Sequence, residues 1–76
     1  MARPIYEIAS DIRRAWGTKV SPYAKPYLDA MASLDKITDK YVYDSASSIV
    51  AYFLSNASGF RGDDARALKK ELKALL

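Results

Sequence analysis

The residues whose types could carry chemistry are mainly carboxylates and cations, because the 76-residue chain contains neither histidine nor cysteine. The commonest general base and metal ligand are therefore absent, and no Ser-His-Asp set can form. The remaining candidates for acid–base or magnesium chemistry are the aspartates Asp29, Asp35, Asp39, Asp44, Asp63 and Asp64. Helix caps and turns account for all of them. We therefore expect a protein that is not an enzyme and that holds no metal or cofactor.

Two short motifs are typical of secreted proteins. Arg61-Gly62-Asp63 matches an adhesion tripeptide, and residues 56–58 match a glycosylation sequon. The N-terminal segment has no apolar core of the signal-peptide kind, and no segment approaches 18 apolar residues. We therefore expect a cytoplasmic protein without a membrane partner. The tripeptide is better explained as a turn at Gly62 followed by Asp63 as the cap of a helix.

The cations near the C-terminus are the most regular pattern in the chain. The net charge is +3, and residues 61–76 contribute five basic and three acidic groups to it. Arg66, Lys69, Lys70 and Lys73 recur at i, i+3, i+4 and i+7, which places them in one stripe on a helix. This stripe could bind phosphates or an acidic partner. The interpretation that the residues favour is a solvated helix, because late cations favour the helix dipole and keep a small protein soluble.

A second pattern is the lack of charge from residue 45 to residue 59. A helix without charge on any side is either central in its domain or covered by another chain. Exposed tyrosines also favour interfaces, because they combine a large rigid contact area with a polar tip. The candidate protein-binding residues are therefore Tyr52, Ser48, Ser45, Ser55, Tyr6 and Tyr23. One form of such an interface is a homodimer with Tyr52 near its own symmetry mate.

Four segments with helical periodicity must position these residues. The first helix runs from Pro4 to an end at Gly17, and the second covers residues 26–36. The third is capped by Asp44 and ends at Gly59, and the fourth is capped by Asp63. The connector residues Tyr41, Val42 and Tyr43 favour a strand, but an isolated strand has nothing to pair with. We interpret Ile37, Tyr41 and Val42 as apolar plugs under a loop or short turn.

The expected fold is all-α. It is one domain, residues 1–76, formed by a compact bundle of three main helices with a shorter or kinked fourth. The apolar stripes predict the core, which should contain Ile8, Ile12, Trp16, Leu28, Met31, Ile49, Phe53, Leu68 and Leu72. A domain of this size buries only roughly 60% of the surface of its unfolded chain. Stability should therefore depend strongly on each large core side chain.

The chain resembles small helical proteins encoded by bacteriophages in the segments YEIASDIRRAW, PYLDAMASLD and DSASSIVAYFLSNASGFRGDDARALKKELKALL. The resemblance implies expression in the cytoplasm of a bacterial host, and it assigns no role to any residue. Small phage proteins of this kind often bind a host or defence component. The first hypothesis is therefore non-catalytic binding of a host or phage protein, as an inhibitor of a host process or defence system. The alternatives are a nucleic-acid or nucleotide binder that uses the basic stripe and a structural component of a phage assembly.

Overall fold

The computed structural model describes residues 3–41 and 44–76, which form four α-helices and one two-stranded sheet. The helices are α1 (Ile5–Trp16), α2 (Lys25–Met31), α3 (Ala46–Ser55) and α4 (Asp63–Leu75). A 3-10 turn, Gly17–Lys19, follows α1. The strands β1 (Lys40–Tyr41) and β2 (Asp44–Ser45) pair antiparallel, with Lys40 opposite Ser45. The mostly helical character expected from the sequence is thus confirmed, and α2 is the shortest helix.

The small sheet corrects the expectation of an all-α fold with a loop connector. The strand at Lys40–Tyr41 is not isolated, because β2 pairs with it in antiparallel orientation. The hydrogen bonding continues past β2, where the Ala46 N–H donates to the Asp39 carbonyl at 2.8 Å. Tyr41 is 38% exposed, so it is not an apolar plug. Val42 and Tyr43 lie outside the described residues.

The predicted core is confirmed, since all nine of its side chains are buried. α1 packs against α2 and α4, α2 also packs against α3, and α3 contacts α4. Trp16 connects these layers, because its ring meets Phe53 edge-on at a centroid distance of 6.3 Å. Trp16 also stacks on Phe60 at 4.9 Å. Phe60 is a core residue that the helical stripes did not include, because it lies in the loop between α3 and α4.

The second helix ends at Met31 and not at residue 36, as the sequence predicted. The Ser33 backbone N–H and hydroxyl both donate to the Ala30 carbonyl, which ends the helical ladder. The carbonyls of Leu34 and Asp35 then accept the N–H groups of Tyr6 and Ile5, each at 2.8 Å. Those N–H groups at the start of α1 have no partner within their own helix. The chain after α2 therefore leaves the helix because it caps α1.

The expected caps of α3 and α4 are each wrong by one residue. Ser45, not Asp44, is the N-cap of α3, and its hydroxyl accepts the Ser48 N–H at 3.2 Å. The N-cap of α4 is Gly62, and Asp63 is the first helical residue. Gly62 has a φ of 111°, a conformation that favours glycine.

The expected end of α3 at Gly59 is also wrong. α3 ends at Ser55, because the Asn56 side chain donates to the Tyr52 carbonyl and its backbone N–H caps the same turn. The chain is then free to turn and place Phe60 on Trp16.

Candidate functional site

The uncharged third helix lies at the surface with one side exposed. Ala46, Ile49, Val50 and Phe53 are buried on its inner side. Its exposed side chains, which we call the α3 outer face, are those of Ser47, Ala51, Tyr52 and Ser55. Of the two arrangements that the sequence left open, a helix surrounded by its own domain is therefore wrong.

Tyr52 is the largest side chain of the α3 outer face and is 54% exposed. Its ring lies 5.6 Å from that of Tyr27, with an angle of 36° between the ring planes. Tyr27 is partly buried and packs against the core. The half-buried partner restricts the Tyr52 ring before any ligand arrives. A restricted aromatic side chain loses little conformational entropy when it is covered.

The predicted serines have two different roles in the structure. Ser45 and Ser48 are half-buried, and their hydroxyls lie 2.9 Å apart within the N-cap of α3. Ser55 is exposed, and its hydroxyl donates to the Ala51 carbonyl at 3.1 Å. Ser55 therefore belongs to the α3 outer face, whereas Ser45 and Ser48 mainly fix where the helix begins.

The two other predicted tyrosines lie on separate elements. Tyr23 is 75% exposed in the turn that leads into α2, four residues before Tyr27. Tyr23 lies outside α2, so the helical spacing that relates side chains four residues apart does not apply to Tyr23 and Tyr27. Tyr6 is 49% exposed in the first turn of α1. In residues 3–41 and 44–76, the only tyrosine rings in contact are those of Tyr27 and Tyr52.

The basic stripe of α4 is present, but its four cations are not equivalent. Arg66, Lys70 and Lys73 are exposed, whereas Lys69 is half-buried. The Lys69 ammonium donates to the Phe60 carbonyl at 2.6 Å and lies 5.8 Å from the centre of the Phe60 ring. Burial lowers the pKa of Lys69, and the nearby charges of Lys73 and Arg61 lower it further. Lys69 therefore fixes the loop before α4, and Arg61 is an additional cation beside the stripe.

Sequence reasoning missed an ion cluster that joins α1 to α4. The Arg3 guanidinium binds both carboxylate oxygens of Glu71, at 2.8 and 2.7 Å, and an Asp11 oxygen at 2.6 Å. Arg14 pairs with the other oxygen of Asp11. Hydrogen bonds from Arg3 lower the pKa of both Asp11 and Glu71. No sequence pattern indicates this cluster, because Arg3 and Glu71 are 68 positions apart.

A groove of about 480 Å³ lies between α1 and α4 beside this cluster. Its apolar floor includes Ala15, Ala67 and Leu68. Its charged wall consists mainly of Arg3, Asp11, Arg14 and Glu71, which bind one another. These groups stabilise the packing of α1 on α4, and the groove adds no separate chemical group.

Within the part of the chain that the structure describes, no cluster of acidic side chains could hold a metal ion. The buried side chains of that part are all apolar. None of its helices is both long and apolar enough to cross a membrane. Comparisons of the chain with protein-family models, with curated proteins and with solved structures give no match.

Proposed function

We propose that this chain is a small non-catalytic binding protein whose α3 outer face docks a host or phage protein. The observation that carries the proposal is the exposure of an uncharged helix side around Tyr52. An exposed helix side in a soluble protein normally carries charged residues. The lack of charged residues on the α3 outer face is explained if a second protein covers this face.

The composition of the face fits a helix as the docking element. Ser47, Ala51 and Ser55 are small, so a partner backbone can approach α3 closely. Tyr52 stands beside them as the large contact, and tyrosine is enriched among the residues that dominate binding energies. Tyr27 of α2 supports the Tyr52 ring from the side of the core. The interface would thus have one aromatic anchor with small residues around it.

The biological role that we propose is inhibition of a host process or of a host defence system. A protein that acts by binding alone does so by occupying a surface, by holding two partners together or by blocking a movement. Binding through one helix side is sufficient for the first of these. A phage structural protein or a second copy of this chain could use the same face. The identity of the captured partner distinguishes these cases.

The test places a photo-crosslinking amino acid at position 52 and, as a control, at position 6. Both sites carry exposed tyrosines, but Tyr6 lies on α1. We expect position 52 to give a discrete crosslinked protein in nuclease-treated bacterial lysate, and position 6 to give none. The identified partner is then purified, and its affinity is measured with Tyr52→Glu and Tyr6→Glu. A residue that dominates an interface contributes 2 kcal/mol or more, so Tyr52→Glu should weaken binding by about 30-fold or more.

Three results would contradict the proposal. The first is a folded Tyr52→Glu variant with unchanged partner affinity, and the second is a larger loss for Tyr6→Glu. The third is unfolding of the Tyr52→Glu variant. Tyr52 would then be required for the stability of the domain, and would not be an exposed residue available for binding. Light scattering on the wild-type chain shows whether the partner is a second copy.

A further inference from the structure

The charged side chains of α4 are divided between two sides of the helix. Glu71 and Asp64 lie on the side that faces α1, where Glu71 binds Arg3 and Asp64 lines the groove. Arg66, Lys70 and Lys73 lie away from them, at i, i+4 and i+7. Glu71 is therefore paired inside the domain. The exposed cations lie on another side of α4 together with the exposed Asp63, and no ion pair joins Asp63 to them in the described part of the chain.

Arg61 adds a fourth exposed cation from the loop before α4. Arg61 follows Phe60, whose carbonyl accepts from the Lys69 ammonium at 2.6 Å, so Arg61 lies beside the end of the Lys69 side chain. The charges of Arg61 and Lys73 also lower the pKa of Lys69. Within residues 3–41 and 44–76, the cations that pair with carboxylates are Arg3, Arg13 and Arg14. All three belong to α1 or to the residues before it. We call the four cations Arg61, Arg66, Lys70 and Lys73 the α4 basic surface.

Like charges without carboxylate partners repel one another, and only Lys73, in the last turn of α4, gains from the helix dipole. Each cation placed near another raises the electrostatic free energy of the fold, although surface exposure and salt reduce the effect. The protein instead arranges Lys69 so that its ammonium is held by the Phe60 carbonyl, which fixes the loop that carries Arg61. The arrangement is explained if a polyanion neutralises the exposed cations.

We propose that the α4 basic surface binds the phosphate backbone of a nucleic-acid duplex. The residues of α4, DDARALKKELKAL, include no aromatic side chain. Base stacking, which supports binding of single strands, is therefore not available on this helix. Contacts from arginine and lysine to phosphates carry no sequence information by themselves. Binding should consequently be independent of base sequence and steeply dependent on salt.

This inference does not rest on the protein-binding proposal, because it uses a different helix. Tyr52→Ala changes the α3 outer face and no charge, so it should leave binding of nucleic acid unchanged. Loss of protein binding and loss of nucleic-acid binding can therefore be separated with single variants.

The experiment measures the affinity for labelled duplex DNA, duplex RNA and a single strand of the same length by fluorescence anisotropy. Each neutralised phosphate of B-DNA contributes about −0.9 to the slope of log K against log salt concentration. Four contacts predict a slope of about −3.6, which is a loss of about 150-fold between about 50 and 200 mM salt. The two duplex arms show whether DNA or RNA is preferred, and the single strand should bind more weakly than either.

Two variants with the same net charge test whether the α4 basic surface itself is responsible. The triple variant Arg66→Gln, Lys70→Gln, Lys73→Gln should retain one contact and a slope of about −0.9. The control triple variant Lys19→Gln, Lys25→Gln, Lys36→Gln removes three exposed lysines from other elements and should keep the original slope. The double variant Lys70→Gln, Lys73→Gln should give about −1.8, which provides a second measurement if the triple variant fails to fold.

Absence of duplex binding at about 50 mM salt would overturn the inference, because phosphate contacts are strongest at low salt. Equal losses in the two triple variants would also overturn it, since net charge alone would then explain the affinity. So would binding to polyglutamate in the absence of binding to either duplex, because the surface would then recognise an acidic protein.

Discussion

Replacement of Phe53 by alanine tests how α3 is oriented in the domain. Phe53 is fully buried, and its ring meets Trp16 edge-on at 6.3 Å. Truncation of a buried phenylalanine costs about 3–5 kcal/mol, because both the transfer energy and the packing contacts are lost. A chain of 76 residues has a total stability of about 4–11 kcal/mol at about 0.05–0.15 kcal/mol per residue. Phe53→Ala should therefore remove a large share of the free energy of unfolding.

The assay is urea denaturation followed by circular dichroism and by Trp16 fluorescence. The matched control is Tyr52→Ala, which changes the neighbouring residue of the same helix but removes a half-exposed ring. That ring contacts Tyr27, so its loss should cost about 1 kcal/mol. If Phe53→Ala unfolds the chain in buffer, Phe53→Leu should have a stability between that of wild type and alanine. A cost under about 1 kcal/mol for Phe53→Ala, or a larger cost for Tyr52→Ala, would show that the inner and outer sides of α3 are assigned wrongly.

Two further predictions concern the ion cluster and the cap of α3. The pKa of Glu71 is lower in the folded state than its ordinary value of 4.5, so its pairing with Arg3 stabilises the fold above that pH and is lost as the pH falls below it. The difference in unfolding free energy between wild type and Glu71→Gln should accordingly shrink below about pH 4.5, and a difference that stays constant down to pH 3 would refute the assignment. Ser45→Ala should cost about 1 kcal/mol in urea denaturation, whereas Asp44→Ala should cost much less. A larger loss of stability for Asp44→Ala than for Ser45→Ala would show that Asp44 is the N-cap.

The apolar periodicity predicted that four helices exist and that nine of their side chains are buried, but it did not predict the ends of α2 and α3 or the burial of Phe60. Each stripe contains large side chains at helical spacing, and burial of those side chains decides which side of the helix faces inward. This is why positions such as Ile8, Met31 and Leu72 are buried as expected. The same reasoning identified the absence of charge on α3, although the exposure of its outer side required the structure.

The features that the sequence did not predict depend on contacts between distant residues. α2 stops early because Leu34 and Asp35 serve the start of α1, and neither residue has a local signal for this role. The Arg3–Glu71 pair connects positions 68 residues apart. Its spacing in the sequence places Lys69 in the basic stripe, but in the structure its ammonium donates to the Phe60 carbonyl in the loop before α4. Local periodicity places a residue on a side of a helix, but it does not show what that side meets.

The two charged sides of α4 therefore require different explanations. On the α1 side, Glu71 meets Arg3, and this pair contributes to the packing of α4. On the other side, Lys73 in the last turn favours the helix dipole, whereas Arg61, Arg66 and Lys70 form no ion pair within the described residues. Nearby like charges oppose folding, whereas the same charges dispersed over the surface would give equal solubility. The proposal that a duplex covers this side therefore predicts a steep salt dependence, and the slopes of the two triple variants count the phosphates that the α4 basic surface contacts.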